Sequence, residues 1–127
     1  MAVDFGGNDI SVIAGETLTD KQFYAVTQES DGKADLGDSA GELVLGILQS
    51  SGTIVDGDVC RVRIGGVSKA VVSAAVEEGA ELAVATTGKL AAATDGDYVC
   101  AIALEPSSAD GDVIRTRLVT YQKNPAA

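Results

Sequence analysis

Apolar and polar residues alternate with a period of two along much of this chain, which restricts the folds it can adopt. In the segment DVCRVRI, Cys60, Val62 and Ile64 share one face, and Arg61 and Arg63 share the other. The later segment VIRTRLV places Arg115 and Arg117 on its polar face in the same way. This period is typical of half-buried β-strands, because successive side chains of a strand point to opposite faces. The sequence therefore predicts an all-β protein.

Short turns rich in glycine and aspartate separate these segments from others of the same kind. Further candidate strands lie at residues 23–28, 43–49, 69–76, 82–86 and 98–104. Turns are predicted at residues 31–33 and 87–89 and at Gly65-Gly66, where glycine supplies the positive φ that hairpins need. Asp-Gly-Asp occurs three times, and the echo of DGDVCRVRI in DGDVIRTRL indicates two similar turn-to-strand segments. Short strands with regular turns predict a small β-barrel or β-sandwich.

The length of 127 residues fits one domain, which we assign to residues 16–121. Residues 1–15 are predicted to form an extended N-terminal arm or edge strand, and residues 122–127 a flexible C-terminal tail. Isolated apolar residues stand among the glycines of this arm, and we expect them to contact a larger assembly or a neighbouring subunit: Val3, Phe5, Ile10, Val12 and Ile13. No segment has the character of a signal peptide or of a membrane span.

The charge balance is strongly acidic, with 19 acidic residues against nine basic ones and a net charge of −10. Nucleic acids and anionic membranes both require a basic face, so neither is an expected partner. Four of the nine basic residues are Arg61, Arg63, Arg115 and Arg117, which would form a basic stripe if their strands lie side by side. Such a stripe either pairs with the protein's own carboxylates or contacts an acidic partner or a neighbouring subunit.

The residue types needed for catalysis or metal binding are scarce in this sequence. There is no histidine, which removes the commonest general base and the usual partner of a nucleophile. The Asp-Gly-Asp triplets do not supply the six to eight oxygens of a calcium site. Cys60 and Cys100 lack metal-site spacing and are either buried thiols or a disulfide within or between chains. We expect no enzymatic activity, no cofactor and no metal.

Short turn and apolar motifs follow one another in order over residues 10–120. They include TDKQFYAV, LGILQ, VRIGGVSK, GDY followed by AIALE, and GDVI. Their order and spacing resemble those of the capsid decoration (cement) proteins of tailed phages. The resemblance implies a small β-barrel-like (β-tulip-like) domain that binds the outer surface of an icosahedral capsid in the virion. It also implies the major capsid protein as partner and a homotrimer on the capsid, but it carries over no contact residues.

Two alternatives remain open from the sequence. The chain could be another structural component of the virion, such as part of a tail or a head fibre. It could also present Lys69 on a hairpin after Gly65-Gly66, as biotinyl and lipoyl carrier domains present their modified lysine, although the flanking residues typical of those hairpins are missing. The position of the chain in the particle distinguishes the first alternative from a capsid cement protein. A mass increase on Lys69 distinguishes the second.

Overall fold

A computed structural model describes residues 7–124, which contain 11 β-strands and no helix. The strands are β1 Gly7–Ile13, β2 Leu18–Thr19, β3 Ala25–Gln28, β4 Ala34–Leu36, β5 Gly46–Leu48, β6 Thr53–Ile54, β7 Val59–Val71, β8 Glu81–Val84, β9 Leu90–Ala92, β10 Tyr98–Ala103 and β11 Val113–Gln122. The prediction of an all-β fold is confirmed.

Nine of the strands form one curled antiparallel sheet. Eight follow one another in the order β4-β3-β5-β7-β11-β10-β8-β9, while β1 pairs with β7 off this path and β2 pairs separately with β6. Two parallel bridges, Ala14 beside Ala34 and Val72 beside Leu90, bring distant strands of the sheet together. The sheet therefore curls into two half-barrels that share β7.

The central strand β7 is 13 residues long and belongs to both half-barrels. Its first part pairs with β1 along one edge and with β5 along the other, since Arg63 is opposite a residue of each. Its second part pairs with β11. Because Gly66 is opposite both Gly7 of β1 and Leu118 of β11, β11 follows β5 along the same edge of β7.

The buried side chains form two main cores, and β3 and β5 lie between them. The first core contains Ala14, Leu18, Val26, Ala34, Leu48, Ile54, Cys60 and Val62. The second contains Ala25, Val44, Ile47, Ala70, Val72, Val76, Leu82, Val84, Leu90, Cys100, Ala101, Ala103 and Ile114. Adjacent residues of β3 and of β5 thus face different cores, which explains why these strands are apolar on both faces.

The two halves of the chain repeat one arrangement of strands. The β3–β4 and β8–β9 hairpins have the same register, displaced by 56 residues, and each closes with one of the parallel bridges. The matching pairs are Val26–Leu36 with Leu82–Ala92, and Ala14–Ala34 with Val72–Leu90. We call residues 7–64 unit 1 and residues 65–122 unit 2, so that β7 ends the first unit and begins the second.

Backbone hydrogen bonds repeat in the same way at the Asp-Gly-Asp turns. The Ala14 amide donates to the Asp58 carbonyl at 2.8 Å, and the Val72 amide donates to the Asp112 carbonyl at 2.9 Å. These turns precede β7 and β11, and each turn together with the first residue of its strand forms the echoed sequence DGDV. The echo therefore marks equivalent positions of two repeated units.

One local expectation differs from the structure. Gly65-Gly66 was expected to form a turn, but β7 runs through both residues, and the positive φ of 88° at Gly66 lies where the strand passes from one core to the other. Within the expected N-terminal arm, residues from Gly7 onwards form β1, because the long first part of β7 offers them a pairing edge. Val3 and Phe5 lie outside the described residues.

Gly46 provides a test of how closely β5 packs on β7. A Cβ at Gly46 would collide with the Arg63 carbonyl oxygen, whereas a Cβ at the neighbouring Gly65 would meet only the Asn8 Nδ2 atom, at 3.7 Å. We expect Gly46→Ala to lower the free energy of unfolding by about 2–4 kcal/mol, and Gly65→Ala to change it by less than about 0.5 kcal/mol. Urea unfolding of both variants measures the difference, and equal stabilities would contradict this packing.

Candidate interaction surface

The outward side of β1, β7 and β11 carries all four arginines of the chain. In β7 and β11 the alternate residues Cys60, Val62, Ser68, Ala70, Ile114 and Thr116 are buried, so the residues between them point outward. We call this outward surface the arginine face; it comprises Asp9, Arg61, Arg63, Val67, Lys69, Arg115 and Arg117. No sequence pattern alone gives the register that assembles it from three strands.

In unit 1, one carboxylate bridges both arginines of the arginine face. Asp9 accepts hydrogen bonds from Arg63 at 2.7 and 3.3 Å and lies 3.1 Å from Nε of Arg61. Arg63 is 19% exposed and also donates to the Val67 carbonyl at 3.0 Å, whereas Arg61 is 60% exposed. The hydrogen bond from Arg63 and the charges of both arginines lower the pKa of Asp9 despite its partial burial.

In unit 2, the equivalent arginines have different surroundings. Arg115 donates to Glu105 at 2.9 Å from both its amide and its Nε, and these hydrogen bonds lower the pKa of Glu105. Arg117 is exposed and lies opposite Val67. Among residues 7–124, none of the ion pairs includes Arg117.

The four arginines therefore do not form one continuous stripe. β7 and β11 are neighbours, but Arg115 lies opposite Lys69 and Arg117 opposite Val67, while Arg61 and Arg63 lie further along β7 beside β1. The stripe expected from the sequence consists of two halves, one in each unit. The half in unit 1 is bridged by Asp9, and the half in unit 2 is more cationic because it includes Lys69.

The apolar residues expected in the arm have two kinds of environment. Ile10 and Val12 are half-buried against the first core, so they contribute to folding. Ile13 is 37% exposed and lies opposite Val59, which is 63% exposed. Further exposed apolar side chains, which the sequence did not single out, are Leu43, Val55, Ile64, Tyr98, Leu104, Val113 and Tyr121.

The two cysteines are free and buried in different cores, Cys60 in the first and Cys100 in the second. A disulfide between them within one chain is therefore not part of this fold. Burial raises the pKa of both thiols, that of Cys100 to about 12. Because the thiolate is the reactive form, both side chains are packing residues in the folded protein.

Lys69 lies inside β7, and its Nζ atom is 5.8 Å from the centre of the Phe23 ring. A carrier lysine requires a protruding turn, so this position does not favour the carrier-domain alternative. Within the described part of the chain, no group of three or more Cys, Asp or Glu side chains is arranged to hold a metal ion. No helix there is long and apolar enough to cross a membrane.

A cluster of carboxylates surrounds Asp35 on β4, and we call it the acidic end. Its other members, whose charges act on Asp35, are Glu16, Glu29, Asp31 and Asp56. Desolvation, followed by these like charges, raises the pKa of Asp35. Its Oδ1 atom is buried and has no hydrogen-bond partner among the described residues. The ionised form of Asp35 therefore destabilises the fold, since a buried charge without a partner is costly.

Asp35 and Asp9 should respond in opposite directions when their charge is removed. We expect Asp35→Asn to raise the free energy of unfolding at pH 7 by about 0.5–1.5 kcal/mol, and Asp9→Asn to lower it by about 1–2 kcal/mol. The pKa of Asp35 is raised in the folded state, so its contribution to stability falls as pH rises from the ordinary value of 3.8 through the folded value. The pKa of Asp9 is lowered, so its contribution is lost as pH falls below 3.8.

Chemical denaturation between about pH 3 and pH 7 measures both contributions. Each substitution should flatten the pH dependence in its own window and leave the other window unchanged. A loss of stability in Asp35→Asn at pH 7 would contradict the assignment of Asp35 as a strained charge.

The chain is similar to known proteins both in its sequence and in its fold. The model of a family described as phage cement protein matches residues 6–118. No curated protein sequence matches the chain. A solved structure, the head fibre gp8.5 N base in bacteriophage phi29, has a similar fold, with a TM-score of 0.63 and 13% sequence identity, over 88% of this chain and 93% of that one. Since the family match spans both repeated units, the chain belongs to the phage cement protein family.

Proposed function

We propose that this chain binds the outer surface of an icosahedral phage capsid as a homotrimer and cements the lattice of the major capsid protein. The observation that carries this proposal is the match to the cement family over residues 6–118. The role is structural and involves no catalysis. It places the chain, after its synthesis in the host cytoplasm, on the outside of the virion.

The surface of the domain is consistent with a protein that acts by contact. Its exposed apolar residues are spread over both units, and its arginine face offers the planar donors that are favoured at protein interfaces. A small interface repeated many times on one lattice binds tightly through avidity. We propose residues 1–6, Ile13 and the arginine face as the regions that contact the capsid or a neighbouring copy of the chain.

The contribution of the first residues can be tested without removing a strand. Deleting residues 2–12 would remove most of β1, which pairs with β7, and would expose the first core. We therefore use Val3→Ser/Phe5→Ser, which leaves β1 complete. We expect this variant to bind purified capsids that lack the chain about tenfold more weakly, the usual scale for losing apolar anchors, with an unchanged unfolding temperature. Unchanged capsid binding would remove these two residues from the contact surface.

The location of the chain tests the function itself. Cryo-electron microscopy of the native particle should find density for this two-unit fold on the outer shell at local three-fold axes. Density only in the tail, or a bare shell in a particle that encodes the chain, would overturn the proposal.

A second candidate function is supported by the structural neighbour, which is described as the base of a head fibre. Under this alternative the domain anchors a projecting fibre to the head and does not cement the shell. The same reconstruction separates the two, because a fibre base carries further density projecting outward. A cement protein leaves a shell without such projections, and the resistance of that shell to heating decreases when the chain is removed.

A further inference from the structure

The two repeated units differ in charge at equivalent positions of the arginine face. Pairing aligns the units residue by residue: Asp9–Arg63 of unit 1 corresponds to Val67–Arg117 of unit 2, and Ser11–Arg61 corresponds to Lys69–Arg115. Unit 1 therefore has a carboxylate where unit 2 has an apolar side chain, and a serine where unit 2 has a lysine. At this face, unit 1 therefore has one carboxylate, Asp9, against two arginines, whereas unit 2 has one carboxylate, Glu105, against two arginines and Lys69.

The acidic end differs between the units in the opposite sense. Register and hydrogen bonds align Asp35 with Ala91 and Glu29 with Ala85, because each pair occupies the same position in its hairpin. At the same spacings, Asp31 corresponds to Thr87 and Glu16 to Ala74. Only Asp56 has an acidic equivalent, Asp110, which pairs with Lys89 at 2.9 Å. Unit 1 thus has an excess of carboxylates at the position where unit 2 has almost none.

One chain cannot bring these two charged regions together. Asp35 is on β4 and Arg117 is on β11, and the sheet order places β3, β5 and β7 between them. Apolar side chains are exposed beside each region: Val55 and Val59 flank Asp56, while Val113 and Leu104 flank Arg115. Each region thus combines charge with apolar area, as interfaces do.

We propose that the unit 2 half of the arginine face, formed by Lys69, Arg115 and Arg117, binds the acidic end of a second copy of this chain. This inference rests on the proposed function only in that the copies are expected to meet on a capsid. The contact itself joins two copies of the chain and involves no capsid residue. A carboxylate of the second copy lies over Val67 and contacts Arg117, as Asp9 contacts Arg63 within unit 1. The contact joins different surfaces on the two copies, so it is head-to-tail and closes into a ring when the rotation per copy permits.

The burial and charges of the acidic end support a second copy as the partner. Asp35 has a buried oxygen without a described partner and four acidic neighbours, so a cation brought to this cluster relieves repulsion that the isolated chain retains. With a net charge of −10, two copies repel each other except where one presents cations. Charge therefore favours contact between these two surfaces over other contacts between copies, and added salt weakens this attraction.

The test is self-association of the purified chain, measured by sedimentation velocity over a range of concentrations. In about 50 mM NaCl we expect reversible association, and in about 500 mM NaCl we expect dissociation. Val67→Asp supplies unit 2 with the internal carboxylate of unit 1 and should weaken association about tenfold or more. Thr86→Asp, an equal charge change at an exposed turn residue outside both surfaces, should leave association unchanged.

A charge-swap pair separates specific contact from general repulsion. Arg117→Glu and Asp56→Lys should each abolish self-association, and an equimolar mixture of the two should restore association as mixed pairs, because a contact between the two variants again joins opposite charges. Three-membered rings should not return in the mixture, because a ring of three always contains one contact between two copies of the same variant. Both residues are exposed, so we expect the unfolding temperatures of these variants to stay close to that of the wild-type chain. Two results would overturn the inference. One is a wild-type chain that is monomeric at every concentration in low salt, and the other is a mixture of the two variants that does not associate.

The outcome is independent of capsid binding. A chain that stays monomeric but decorates capsids would refute this contact and leave the cement function standing. A chain that self-associates through this contact but never binds capsids would refute the cement function and leave the contact standing.

Discussion

Both cores of this protein depend on the strand they share. The first part of β7 contributes Cys60 and Val62 to the first core, and its second part contributes Ala70 to the second. The change of core occurs at Gly65 and Gly66, and the backbone at Gly66 adopts a positive φ that is open to glycine. Because β3 and β5 are buried between the same two cores, neither unit can unfold alone without exposing apolar faces of the other. We therefore expect the two units to unfold together as one cooperative domain.

The ion pairs of the arginine face differ in how much the fold depends on them. The contact between Arg63 and Asp9 is partly buried and anchors β1 to β7, so its loss should destabilise unit 1. The contact between Arg115 and Glu105 is 46% and 38% exposed, and such pairs contribute about 0–1 kcal/mol. We therefore expect the fold to depend less on the cations of unit 2 than on Arg63, which is consistent with their proposed contact with another copy.

Much of the fold could be predicted from local patterns, whereas the arrangement of the surface could not. The alternation around Arg61 and Arg115 predicted strands, because one face of each is buried and the other is exposed. Gly65-Gly66 was misread as a hairpin, since a glycine pair that lets a strand change core has the same composition as one that turns it. The position of Arg117 opposite Val67 depends on the register between distant strands, which no local pattern determines.

The modest cores give assembly a physical role in this family member. Among residues 7–124, the most deeply buried large side chains include Leu48, Leu82 and Leu90 but no aromatic ring, although such rings usually provide the largest buried areas. A head-to-tail contact between copies forms a closed ring only if the rotation per copy is correct, and otherwise it forms an open filament. Under the proposed function, a local three-fold axis of the capsid fixes that rotation. Ring closure and capsid binding would then stabilise each other, because each copy that binds the lattice places its acidic end next to the cations of the following copy.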